Sequence, residues 1–239
     1  GAAHRAERRT EGAEILGLLE LSGLPVYEEC GAARMKNFKM TLSYDGSRYF
    51  GWERQPGKET IQGKLEAVLT RMCGAPVNVI GAGRTDAGVH ARAMVANAYM
   101  DTDMEPESIR DYLNHYLPDD IGVAEVKEAA DRFHARYRAV GKLYTYTCYV
   151  GETKPVFNRK YETVLGGKPG GEKMRSAAEV LRGTGFLQNM VRILTGTLLE
   201  VGFGKRSVAS VKEVLEAKDR KLAGYTAPPQ GLCLMRVDY

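Results

Sequence analysis

From Phe38 the chain alternates: Phe38, Met40, Leu42 and Tyr44 fall on one face and Lys39, Thr41 and Ser43 on the other, the period of a half-buried strand. The turn dipeptide Asp45-Gly46 ends it. After Pro56-Gly57 the period lengthens. Ile61, Leu65, Val68, Leu69 and Met72 recur at helical spacing behind Thr60, a good N-cap residue, which predicts a helix with Lys64 and Arg71 in solvent. Val77 to Ile80 and Met94 to Met100 have strand character. Glu105-Pro106-Glu107-Ser108 opens a second helix with Ile109, Tyr112, Leu113, Tyr116 and Leu117 on its buried face. Pro118-Asp119-Asp120 stops that helix before a strand from Ile121 to Val126, and Lys142 to Val150 reads as one long strand with Tyr144 and Tyr146 on the same face.

The last third is helical until its end. Met174, Ala177, Ala178 and Leu181 form a helix face closing at Gly183. Phe186, Leu187, Met190, Val191, Leu194, Leu198 and Leu199 predict a helix buried widely around its circumference. Ser207 is placed to cap Val208 to Ala217, and Leu232 to Tyr239 is the final strand. Residues 1–34, by contrast, carry little beyond the apolar run Ile15 to Leu19, and are expected to be an extension upstream of the patterned chain.

Composition narrows the function only slightly. The chain has 239 residues, 44% of them hydrophobic, enough for one large domain or two small halves. Its 34 Lys and Arg against 30 Asp and Glu give a net charge of +4, which permits an RNA partner without requiring one. Cys30, Cys73, Cys148 and Cys233 are scattered singly, as are His4, His90, His115 and His134, so no metal site is expected and the thiols suit a reducing cytosol. No apolar run has the length of a membrane span, and a cytoplasmic protein without a membrane partner is expected.

The chemistry concentrates in Gly81-Ala82-Gly83-Arg84-Thr85-Asp86-Ala87-Gly88-Val89-His90-Ala91, where three glycines surround one carboxylate flanked by a cation and an imidazole. The spacing is neither a dinucleotide fingerprint nor a phosphate-binding P-loop. On its own it reads either as a structural turn with a local ion pair or as a loop that presents Asp86. Ser47 to Gly57 mixes aromatics with arginines, which suits either RNA contact or a surface loop pinned by Tyr49 and Trp52 in the core.

Gly83-Arg84-Thr85-Asp86-Ala87-Gly88-Val89-His90 resembles, residue by residue, the signature of the tRNA pseudouridine synthase A family. The likeness extends over about residues 35–239, through Tyr44-Asp45-Gly46 and Gly51-Trp52, Ala135-Arg136-Tyr137, Tyr144-x-Tyr146, Phe186-Leu187 with Met190-Val191-Arg192, and Ala227-Pro228 with Gly231-Leu232. It implies an α+β pseudouridine synthase fold: two similar α/β halves, a mostly antiparallel central sheet flanked by helices, and a central RNA-binding cleft. The halves would be residues 35–150, the catalytic one, and 151–239.

The resemblance further implies isomerisation of uridine to pseudouridine in the tRNA anticodon stem-loop, with no cofactor, by a homodimer whose tRNA spans both subunits. Asp86 would be the nucleophile. Arg192 matches the residue that pairs with that aspartate, Tyr144 the one that lies on the target base and is a candidate proton acceptor, and Leu232 a pocket wall. Arg84, Arg48, Arg54 and Arg136 are candidate RNA contacts, and His90 an RNA or loop-bracing contact. One feature departs from the family: Leu181-Arg182-Gly183-Thr184 runs directly into Gly185-Phe186, where the family carries roughly forty more residues, about two strands and a loop. The C-terminal half is therefore expected to be shortened, and a catalytically silent tRNA-binding remnant is the alternative to an active enzyme.

Overall fold

The computed structural model describes residues 35–178 and 187–239. The expected extension, and the Thr184/Gly185 junction with Leu181, Gly183 and Phe186, lie outside the described residues. From Met35 onward the chain belongs to one unit.

Strand β1 (Lys36–Tyr44) buries Phe38, Met40, Leu42 and Tyr44, the face its alternation assigns. Helix α1 (Ile61–Cys73) begins where Thr60 accepts a hydrogen bond from the Gly63 N–H and ends on Gly74 in the left-handed conformation. It sets Ile61, Leu65 and Leu69 fully inside the core, each worth roughly 1.5–3 kcal/mol of burial. Strand β2 (Val79–Gly81) is shorter than the propensity of residues 77–80 suggests, whereas β3 (His90–Met100) is longer and takes in the end of the glycine loop. Helix α2 (Pro106–Tyr116) buries Ile109 and Leu113 as expected, but Tyr116 is exposed beneath the Arg71 guanidinium rather than buried. Then follow β4 (Ile121–Ala129) and β5 (Gly141–Tyr146).

The predicted long strand from 142 to 150 is two. Between β5 and β6 (Cys148–Tyr149), Thr147 leaves the ladder, its N–H going to Gly231 O and its carbonyl to Thr163 N, so β6 pairs instead with β7 (Thr163–Val164). Helices α3 (Gly171–Ala178), α4 (Met190–Gly202) and α5 (Ala209–Ala217) precede the last strand, β8 (Leu232–Asp238). Ser207 accepts from the Ser210 N–H at the start of α5.

The main sheet runs β4-β1-β3-β8-β5, with β2 paired to the far end of β3. Every pairing in it is antiparallel except β3 with β8, which meet only at His90/Cys233 and Ala91/Leu234. Because β3 and β8 start at the same end of the sheet and β5 finishes there, the glycine loop, Leu232 and Tyr146 are brought to one edge. This is the mixed α+β architecture with a mostly antiparallel sheet that the resemblance implies. The C-terminal helices are less well covered than expected. Along α4 only Gly196, Thr197, Leu199 and Val201 are buried, Leu187 is 81% exposed, and the cluster with α3 and α5 has just Ala177, Val201 and Val211 at its centre.

Candidate active site

The loop between β2 and β3 is held rigidly from below. Thr85 is buried, its hydroxyl hydrogen-bonded to Tyr44 Oη at 2.9 Å, and its carbonyl accepts from the Trp52 N–H at 3.0 Å. The Val89 N–H closes a turn onto Asp86 O at 3.1 Å, with Gly88 at φ +78°, a conformation side-chain-bearing residues rarely take. With Thr85 pinned inward, Arg84 and Asp86 project to the other side. Asp86 thus stands over a cleft of about 1080 Å³ lined also by Tyr144, Arg192 and Leu232.

Arg192, in the first turn of α4, approaches Asp86 with Nη1 3.7 Å from Oδ2. Its guanidinium is oriented by two further bonds, Nε to Ala227 O at 2.7 Å and Nη1 to Asn189 Oδ1 at 3.0 Å. Both members of the ion pair are largely screened from solvent, with 15% and 19% of their side-chain surfaces exposed, so their attraction is much less damped than that of a surface pair. Tyr144 extends from β5 into the same cleft. Burial, reinforced by the negative charge of Asp86, pushes its pKa up to about 12 and keeps the phenol neutral. A neutral ring at this position suits packing against a flat ligand. Leu232 is buried at the start of β8 and forms part of the wall.

The residues expected to meet RNA divide sharply. Arg48 donates to both carboxylate oxygens of Asp120, Arg84 pairs with Glu53 at 2.9 Å, and Arg54 lies 3.4 Å from Glu66. Arg136 is exposed at the mouth of the cleft and forms no ion pair among the described residues. His90 is 5% exposed; its Nδ1 accepts from the Gly46 N–H at 3.1 Å, so its Nε2 carries the proton and donates to Lys160 O at 2.8 Å. The ring therefore braces the loop against residue 160 and is out of reach of a ligand, because both nitrogens are engaged. Tyr49 and Trp52 are each 3% exposed, so of the two readings of residues 47–57 the loop pinned in the core by these rings holds for them; Phe50 alone of these rings is open, and Lys58 lies over it.

Three features of the site escape the sequence reading. Asn189 and the Ala227 carbonyl orient Arg192, and nothing in a bare asparagine or backbone carbonyl announces that role. Lys142 also lines the cleft, two residues before Tyr144 on the same strand, and that two-residue spacing was the available signal. Chemically, a fixed carboxylate beside a guanidinium in a partly desolvated cleft can attack an electrophilic carbon or stabilise a developing cation.

Comparison with known proteins adds the family. The family model described as tRNA pseudouridine synthase matches residues 40–138 and 156–239. Among curated proteins, the tRNA pseudouridine synthase A of Clostridium kluyveri is 39% identical over 244 aligned positions, covering 86% of this chain and 100% of the relative. That of a Geobacillus species is 41% identical, covering 85% and 98%, and that of a Geobacter species 39%, covering 86% and 99%.

Proposed function

We propose, since this chain belongs to the tRNA pseudouridine synthase family, that it isomerises uridine to pseudouridine in the anticodon stem-loop of tRNA with Asp86 as the nucleophile. The observation that carries the reading is the Asp86–Arg192 ion pair lining a cleft that Tyr144 also lines. The target nucleotide must first leave its stack, because its reacting atoms are inaccessible within a helix. Asp86 then acts at the ribose carbon of the glycosidic bond, attacking it or stabilising the cation formed there as the bond to uracil N1 breaks. The freed uracil turns beneath Tyr144, uracil C5 bonds to the ribose carbon as any bond from that carbon to Asp86 breaks, and the C5 proton is lost while N1 takes one up, so the product is an isomer of the substrate. No cofactor enters the balance.

Residues 35–150 would then be the catalytic half and 151–239 a shortened partner half. The relatives align over 244 positions while covering 86% of the 239-residue chain, about 206 residues. Some forty of their positions thus lack a counterpart, roughly two strands and a loop. A dimer whose tRNA spans both subunits belongs to the same reading.

Asp86→Ala is expected to abolish turnover while tRNA affinity stays within about twofold, because the carboxylate acts in the chemical step and not in holding phosphate. A variant that keeps substantial turnover would remove Asp86 from its role.

A further inference from the structure

The segment that carries Arg136 is fastened to the sheet by buried amides. Asn97 donates to Asn37 Oδ1 at 2.9 Å and accepts from the Ala135 N–H, while Asn37 donates to the carbonyls of Ala130 and Phe133. Tyr239 Oη adds a bond to Ala135 O. On this anchored segment His134 accepts, through Nδ1, from the N–H groups of both Arg136 and Tyr137, and its ring stacks on Tyr137 with centroids 4.1 Å apart and planes at 27°. Tyr137 itself is 79% exposed at the cleft mouth. An aromatic ring backed on one side and open on the other, held by a fixed backbone, is a stacking platform.

Lys142 completes the arrangement. It reaches from β5 toward the loop that bears Asp86, so closely that a β-carbon on Gly83 would sit 2.8 Å from its Nζ. It forms no ion pair with a carboxylate among the described residues. Burial, and then the nearby Arg136 guanidinium, hold its pKa below that of an ordinary lysine. Lys142 and Arg136 line the same cleft, the guanidinium opposing the ammonium charge, and an incoming anion stabilises both.

We propose that the Tyr137–His134 stack and Lys142 form a nucleotide subsite beside Asp86, holding the base and the phosphate of the residue adjacent to the target uridine in the RNA strand. The inference rests on the reading of the site as a tRNA-modifying one, and it assigns these residues a substrate contact that the catalytic constellation does not require. Tyr137 takes the neighbouring base on its open face, and Lys142 takes the phosphate that links that nucleotide to the ribose under attack. Extrusion of the uridine leaves its neighbour unstacked on one side, and the platform supplies the lost partner.

The test is equilibrium binding of an anticodon hairpin, intact or with an abasic nucleotide on the 5′ or the 3′ side of the uridine that is converted. The wild-type chain should lose about 5- to 150-fold in affinity for one of the two abasic hairpins. Tyr137→Ala should lose a similar factor on the intact hairpin and nothing further on that abasic one, and Tyr137→Phe should behave as wild type. Lys142→Ala should flatten the dependence of log affinity on log salt by about 0.7, with Lys142→Arg restoring it. Penalties for Tyr137→Ala and the abasic site that multiply independently, or a salt slope unmoved by Lys142→Ala, would overturn the subsite while leaving the catalytic reading intact. A wild-type chain that neither binds nor converts the intact hairpin would overturn the catalytic reading, and the subsite with it.

Discussion

Asp86 meets a guanidinium whose direction is set elsewhere: Arg192 is aimed by the Ala227 carbonyl and Asn189, with Nη1 3.7 Å from the carboxylate. Charge alone cannot reproduce that geometry. A lysine at 192 would keep the positive charge but lack the planar fork that satisfies Ala227, Asn189 and Asp86 together. Arg192→Lys is therefore expected to slow single-turnover conversion on the order of 100-fold, the scale of a misplaced reacting group, with tRNA affinity nearly unchanged. Equal losses in rate and affinity would instead make Arg192 a binding residue. The carboxylates that engage Arg48 and Arg54 lie 72 and 12 residues away in sequence, and Glu53 meets Arg84 across 31. Such pairings have no sequence signature, and they separate the arginines that face a carboxylate from Arg136, which is left open to an anion.

Among the elements, those with a clean period and a local stop signal were the legible ones. For α1 the Thr60 cap and the five apolar positions agree, and β1 and β8 have the bounds read from the sequence to within two residues. Thr60→Ala leaves the Gly63 N–H without its partner and should cost about 0.5–2 kcal/mol. For a chain of this size that lowers the melting temperature by about 2–4 °C per kcal/mol, readable by calorimetry; an unchanged melting temperature would mean the cap contributes nothing. The elements that misled did so for tertiary reasons. The strand at 142–150 breaks because Thr147 is claimed by Gly231 and Thr163, both remote in sequence. For Tyr49 and Trp52 the sequence left RNA contact and core anchoring open, and burial decides for the pins that fix the loop under Thr85. The period of α4 correctly gives a helix, but how much of it is buried depends on what lies over it.

For the whole molecule, the sheet order explains why residues from both ends of the chain share one cleft. Inserting β8 between β3 and β5 sets Leu232 and Tyr144 beside a loop more than fifty residues before either, and α4 then brings in Arg192. In the sequence this assembly was visible only through the family likeness, since Asp86, Tyr144, Arg192 and Leu232 share no local pattern. The same order makes β5 the last strand of the described sheet, with Leu143 exposed on it. The central claim is that this chain carries out the isomerisation. The measurement that addresses it most directly is release of tritium from tRNA labelled at uridine C5, because the new carbon–carbon bond forms where that hydrogen was. The purified 239-residue chain should release label in proportion to the pseudouridine formed, and Asp86→Ala should release none. A chain that binds tRNA yet releases no label would contradict the account and leave a silent RNA-binding protein in its place.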